Sequence, residues 1–125
     1  MQRNKNIAMV KNNNNKLTDE CLLCKIANKE IKNINILYES ENIIIVENEC
    51  NATKIHLTAI TKKHLPQKNL LVFPNLFSDL SCNIDKLFPL GWRLIINYGR
   101  DSHQTTEHAH VHIVGGETLQ EIGFK

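Results

Sequence analysis

Apolar residues along the chain change their spacing several times, and each spacing predicts a different element. Between residues 21 and 30 they follow one helical face, which predicts a short amphipathic helix. β-branched runs at 36–38 and 43–46, separated by a polar turn, predict a hairpin. A third strand is predicted over residues 54–61, and His64 follows shortly after its end.

The pattern becomes helical again between Leu65 and Leu90. Asn75 is predicted to be the N-cap of this second helix, and Pro89 is predicted to end it. One apolar stripe runs along the helix and predicts a face that packs on the core, formed by Leu76, Phe77, Leu80, Ile84, Leu87 and Phe88. Two further strands are expected, one over residues 92–97 and one over the histidine-rich stretch near residue 110.

This order of elements predicts an α+β fold, with an antiparallel sheet of about five strands and two main helices. Residues 17–125 are expected to form a single domain. Residues 1–16 carry an asparagine run among lysines and almost no apolar side chains, so we expect a disordered tail there.

Composition narrows the function classes. The chain has 125 residues, of which 42% are hydrophobic and 22% charged, and its formal net charge is +2. That weak bias, without a basic stripe, argues against a nucleic-acid partner. No apolar run approaches 18 residues and no apolar signal core follows the start, so we expect a cytoplasmic protein that does not enter a membrane.

Three of the six histidines occur at every second position, as His108, His110 and His112. If this stretch is a strand, the three rings share one face and successive same-face positions lie roughly 6.6 Å apart along it, which suits a small bound group such as a phosphate or a metal ion. The alternative is that they merely cover one side of a strand whose other side is apolar. For the separate His56, a structural role is the favoured interpretation.

The chain has four cysteines. Two disulfides are possible in principle, but without a secretory signal reduced thiols or metal ligands are favoured. Cys21 and Cys24 are three residues apart at a predicted helix start, which places both sulfurs on one side, where they could hold one ion. Reduced core residues remain the alternative for this pair, and Cys50 and Cys82 are expected to be small buried hydrophobes.

Several stretches together resemble one known family. The segment His108-Ala109-His110-Val111-His112-Ile113-Val114, followed by two glycines, is similar to the His-φ-His-φ-His-φ-φ motif of the histidine triad (HIT) family, where φ is an apolar residue. The similarity extends in order and spacing from about residue 20 to 116, through Cys21-Leu22-Leu23-Cys24-Lys25-Ile26, Lys62-Lys63-His64, Asn97-x-Gly99 and Gln104-Thr105.

The resemblance implies a nucleotide hydrolase or nucleotidyl transferase that acts on nucleoside phosphoramidates or dinucleoside polyphosphates and releases a nucleoside monophosphate. His110 is similar to the family nucleophile, which attacks the α-phosphorus and forms a covalent intermediate. His112 would bind the phosphate oxygens. Asn97 and Gln104 would offer amide donors, and Thr105 occupies the place of a hydroxyl near the leaving group.

In zinc-containing relatives the first triad histidine and the strand-exit histidine join two cysteines around one metal. Here that set would be Cys21, Cys24, His64 and His108. Two sulfurs and two nitrogens suit tetrahedral zinc, and four protein ligands leave no open position, so the resemblance implies one structural zinc ion per chain.

The resemblance also implies a purine nucleotide as substrate and a homodimer as the assembly. Leu23 and Ile26 fall where the family packs the base. Asn48 falls where an aspartate usually contacts the ribose, which keeps an acceptor but loses a charge.

Two other functions stay open at this stage. The chain could be a nucleotide-binding sensor or adaptor with little turnover. It could also be a metalloprotein whose three same-face histidines bind a catalytic ion with an open coordination position.

Overall fold

Five antiparallel strands form one sheet with the spatial order β1-β2-β3-β5-β4 in the computed structural model, which describes residues 21–48 and 52–121. The strands are β1 (Ile36–Glu39), β2 (Ile43–Glu47), β3 (Ile55–Thr61), β4 (Trp92–Ile95) and β5 (His110–Gly115). The α-helices are α1 (Leu22–Ala27) and α2 (Pro74–Leu87), with short 3-10 helices at Gln67–Val72 and Arg100–Ser102. The predicted α+β class and five-stranded antiparallel sheet are therefore confirmed. The predicted tail and Cys50 lie outside the described residues.

The main core lies between the sheet and α2. Alternate residues of the central strands point to this side, because successive side chains of a strand face opposite ways. The predicted apolar stripe of α2 packs against them, with Leu76, Leu80 and Ile84 all buried. The strand residues of this core include Ile43, Ile45, Leu57, Ala59, Val111 and Ile113.

A smaller core lies on the other face of the sheet, beneath α1. Ile44 and Val46 of β2 and Ile60 of β3 pack there against Ala27. Because β2 is buried on both faces, its sequence is a continuous β-branched run rather than an alternating one. The face of β5 that carries the histidines is turned to this side, since Ala109, Val111 and Ile113 belong to the α2 core.

Strand register sets which side chains surround the triad. β5 lies between β3 and β4, and Cα pairing places His112 opposite both Thr58 of β3 and Ile95 of β4. Directly opposed residues in antiparallel strands share a face. Thr58, His56 and His112 therefore lie on the same side of the sheet, which makes His56 a neighbour of the triad.

Local details differ from the sequence predictions. Asn75 is not the N-cap of α2: the helix starts at Pro74, whose fixed φ suits the first helical turn, and Phe73 takes the cap position without a side-chain hydrogen bond. β4 ends at Ile95 and β5 begins at His110, so both are shorter than expected. Cys82 is exposed, not buried, because its helical position falls on the solvent side of α2.

None of the helices within residues 21–48 and 52–121 has the length and apolar character needed to cross a membrane.

Candidate functional site

Four side chains from separate parts of the chain converge at one point beside the sheet. Cys21 and Cys24 come from the start of α1, His64 from the segment after β3, and His108 from just before β5. Their ligand atoms all lie within 4.8 Å of one another. The His108 Nδ1 atom lies 3.4 Å from each cysteine Sγ and 3.2 Å from His64 Nδ1. The structure thus brings together all four predicted metal ligands.

The donor set fits zinc. Donors around a tetrahedral zinc ion with two sulfur and two nitrogen ligands would lie about 3.3–3.8 Å apart, given the usual bond lengths. Four of the donor pairs are 3.1–3.4 Å apart, the shortest being Cys24 Sγ to His64 Nδ1, and all four ligand atoms fall within 4.8 Å of one another, close enough to share one ion. This Cys2His2 cluster is able to bind one zinc ion, and four protein donors leave no open position for a substrate.

Groups around the cluster orient its ligands. The Nε2 atom of His108 lies 2.7 Å from the main-chain oxygen of Thr61 and donates to it, which leaves Nδ1 as the lone-pair nitrogen facing the cysteines. The hydrogen bond with the Cys24 thiol lowers the pKa of Cys21 to about 3 and raises the pKa of Cys24. The cluster therefore favours at least one thiolate, the form of cysteine that ligates a metal.

His110 uses its nitrogens in the opposite way. Its Nδ1 atom donates to the main-chain oxygen of His108 at 2.6 Å, so Nε2 carries the ring's lone pair. Burial lowers the pKa of His110 below its usual range. A neutral ring with an available Nε2 is the form in which histidine acts as a nucleophile.

His112 is held by His56, to which the sequence analysis gave only a structural role. The main-chain N–H of Ala52 donates to Nδ1 of His56, so a neutral His56 carries its proton on Nε2. That nitrogen lies 2.9 Å from Nδ1 of His112 and donates to it. Burial lowers the pKa of His112 to about 3. The neutral His112 ring therefore keeps its own proton on Nε2, where it is a hydrogen-bond donor.

A cavity of about 280 Å³ opens over these two histidines. All five residues predicted to be catalytic line it, and the full lining is Asn97, Ser102, His103, Gln104, Thr105, His110 and His112. Gln104 is fixed within the wall, since its Oε1 accepts from Gly99 N and its Nε2 donates to the Thr106 oxygen. A larger cavity of about 560 Å³ lies at the other end of β5, but no histidine or cysteine lines it.

Gln67 and Glu107 are site residues that the sequence analysis missed. The buried Gln67 side chain accepts from the main-chain N–H of His110 at 2.9 Å and donates to its carbonyl at 3.0 Å. Glu107 accepts from the main-chain N–H of Gln67 and from Gln104. Gln67 thus pairs with the main chain of His110 as a neighbouring strand would. No local pattern marks it, because its partner lies 43 residues away.

The residues predicted to contact the nucleoside lie outside the lining of the 280 Å³ cavity. Leu23 and Ile26 are half-buried and pack against the smaller core beneath α1. Asn48 donates from Nδ2 to the Thr58 hydroxyl at 2.8 Å. Thr58 lies opposite His112 in the strand pairing. Asn48 therefore reaches the triad only through Thr58, on the β3 side.

A five-stranded antiparallel sheet that presents alternate histidines to a cavity, beside a Cys2His2 cluster, defines the class of histidine triad proteins. A sequence model of the family described as "Scavenger mRNA decapping enzyme C-term binding" matches residues 20–122. An uncharacterized HIT-like protein of Chlamydia muridarum is 30% identical over 95 residues, which cover 69% of this chain and 74% of that protein. The chain therefore belongs to the histidine triad (HIT) family.

Solved structures agree with this assignment. A histidine triad protein from Clostridium difficile superimposes with a TM-score of 0.71 at 28% identity, covering 83% of this chain and 96% of that chain. A HIT family hydrolase from Legionella pneumophila has a TM-score of 0.68 at 27% identity, covering 81% of this chain and 96% of that chain. The fold of a nucleotide-related hydrolase or transferase is therefore present.

Proposed function

We propose that this protein is a nucleotide hydrolase or nucleotidyl transferase that cleaves at the α-phosphorus through His110. One observation carries the proposal. Nδ1–H of His110 donates a hydrogen bond to the His108 carbonyl. Nε2 is therefore the nitrogen available as a nucleophile, in a ring that lines the cavity. A geometry of this kind activates an imidazole without an additional base.

In the first step, Nε2 of His110 attacks the α-phosphorus and forms a P–N bond. The bond from phosphorus to the leaving group breaks, and its electron pair departs with that group. An amine leaving group also takes up a proton from water, whereas a phosphate leaving group departs as an anion. In the second step, water attacks the same phosphorus, the electron pair of the P–N bond returns to Nε2, and the proton of the water is released with the nucleoside monophosphate.

In this proposal, other cavity residues stabilise the negative charge that develops on the phosphate. The Nε2–H group of His112 donates to a phosphate oxygen, and its orientation is set by His56. Asn97 supplies a second donor from the wall of the cavity, and Thr105 offers a hydroxyl near the leaving group. Gln104 has a supporting role in this proposal: it holds the loop after β4 in place through Gly99, and its amide donates to Thr106 and Glu107.

The substrates we propose are purine nucleotides with a phosphoramidate or phosphoanhydride bond at the α-phosphorus. The nucleoside would extend to the β3 side of β5, where Leu23 and Ile26 offer apolar surface and Asn48 offers a polar group for the ribose. The proposed assembly is a homodimer, and the exposed Trp92 and Ile95 of the edge strand β4 are compatible with a strand-paired contact.

Zinc, when bound, has a structural role in this proposal. Cys21, Cys24, His64 and His108 would hold it and so link α1 to the segment that leads into β5. Because His108 also accepts the Nδ1 proton of His110 through its carbonyl, fixing His108 would fix the nucleophile.

The experiment is a rapid quench of the protein with an adenosine phosphoramidate, followed by intact-mass analysis. We expect a mass increase of one adenylyl group in the wild-type protein and none in His110→Ala. Nucleotide binding without an adduct or turnover would refute the catalytic proposal and favour a nucleotide sensor.

A further inference from the structure

His103 has an unusual backbone conformation in the wall of the catalytic cavity. Its φ and ψ angles are +66° and +36°, in the left-handed region that residues other than glycine seldom adopt. Within the described residues, Lys29 and Asn33 are the other non-glycine residues with positive φ, and neither lines the cavity. Strained backbone of this kind clusters at ligand-binding sites.

A glycine would satisfy the turn at this position without strain, since it adopts positive φ freely. What histidine adds is its imidazole ring. Within residues 21–48 and 52–121 no other group forms a hydrogen bond to that ring, whereas the neighbouring Ser102 donates to the Gly99 oxygen and Gln104 is bonded within the wall. His103 is therefore an exposed residue of the cavity lining, and its imidazole can receive a ligand.

The position of His103 indicates which part of a ligand it meets. His110 and His112 form the floor of the cavity, with exposed fractions of 4% and 5%. The loop that carries His103 follows β4, on one side of β5, whereas Thr58 and Asn48 lie on the β3 side. Attack at phosphorus is in line, so the leaving group departs on the side opposite Nε2 of His110, away from the floor.

We propose that His103 contacts the leaving group and selects for one that carries phosphate. Its ring N–H donates to an oxygen of the phosphate beyond the α-phosphorus, which a phosphoramidate with a simple amine lacks. The inference rests on the proposed function and narrows it to nucleoside or dinucleoside polyphosphates as the favoured substrate class.

The test compares the affinities of AMP and α,β-methylene-ADP, which cannot be cleaved at the α-phosphorus, by titration calorimetry. In the wild-type protein we expect the analogue to bind more tightly than AMP. In His103→Gly, which removes the ring and relieves the backbone, this advantage falls about tenfold, as expected for one hydrogen bond to a charged oxygen, while AMP affinity is unchanged. His103→Asn tolerates the same backbone and retains a donor, so it keeps part of the advantage.

Asn33→Gly is the matched control, because it relieves a positive φ of nearly the same size outside the cavity and should leave both affinities unchanged. Equal advantages for the analogue in wild type and His103→Gly would overturn the role of His103 and leave the proposed function standing. If neither ligand binds the wild-type protein, the proposed function falls as well. Melting temperatures of the variants confirm that each is folded.

Discussion

His108 and His110 are two residues apart on one face of the sheet, yet their surroundings are opposite. Nε2 of His108 is bound to the Thr61 carbonyl, and Nδ1 faces three other donors in a closed cluster. Nδ1 of His110 is bound to the His108 carbonyl, and the ring lines an open cavity of about 280 Å³.

The difference shows that the role of a histidine depends on which of its nitrogens the main chain occupies. The bonded nitrogen fixes the tautomer, so the remaining nitrogen has a defined lone pair and a defined direction. At residue 108 that lone pair faces two sulfurs, and at residue 110 it belongs to a ring that lines an open cavity. If this comparison is correct, substitutions at His110 and at the Cys2His2 cluster that contains His108 must have separable effects.

The largest effect is expected from His110→Ala. Loss of the proposed nucleophile should lower kcat for an adenosine phosphoramidate by at least about 1000-fold. The hydrogen bonds from Gln67 reach the main chain of residue 110, so they persist in the variant and the protein should remain folded with its zinc. Product release measured by chromatography checks the rate, and an unchanged rate would eliminate the proposed mechanism.

Cys21→Ser should act on the Cys2His2 cluster that contains His108. We expect the zinc content to fall from one per chain to near zero and the free energy of unfolding to fall by at least about 3 kcal/mol, because metal binding is coupled to folding. Elemental analysis and urea unfolding measure the two effects. Cys82→Ser is the matched control, since Cys82 is exposed and distant from the cluster, and should change neither.

The same metal analysis separates the closed cluster from a catalytic ion held by the triad. His112→Ala should retain zinc, because His112 contributes no atom to the Cys2His2 cluster. Zinc lost in His112→Ala but kept in Cys21→Ser would instead place the ion at the triad.

Gln67→Leu should lower the free energy of unfolding by about 2–4 kcal/mol, because the N–H and C=O of residue 110 lose their partner in a buried site. The main chain of His110 should become less firmly held in β5, so kcat should fall by a larger factor than KM rises. Lys68→Ala, at the exposed neighbouring position, is the control. A variant as stable as wild type would show that Gln67 does not support the nucleophile.

The smallest effect is expected from His56→Phe. It preserves an aromatic ring but removes the donor to Nδ1 of His112, so His112 no longer has a single tautomer. We expect kcat to fall about 10- to 100-fold with zinc content unchanged. Partial recovery in His56→Gln, whose amide can donate, would distinguish positioning from packing. Equal kcat in wild type and His56→Phe would contradict the role given to His56.

Much of the fold was predictable because its cues are local. The stripe from Leu76 to Leu87 predicted the core face of α2, and the run at 43–46 predicted a strand of a hairpin. The N-cap of α2 was predicted wrongly as Asn75. The helix begins one residue earlier, at Pro74, because the fixed φ of proline suits the first helical turn. Contacts between distant residues could not be predicted in this way. Asp79, for example, accepts a hydrogen bond from Ser40, which lies 39 residues away, and no local pattern marks that contact.

The sequence by itself determined the alternation of histidine and apolar residues, the spacing of Cys21 and Cys24, and hence the class of chemistry. Tertiary structure alone decided which nitrogen each ring presents, that His56 supports His112, and that Gln67 pairs with the main chain of His110. The reason is physical: alternation follows from the geometry of a single strand, whereas a tautomer is set by hydrogen-bond partners that folding brings from distant parts of the chain.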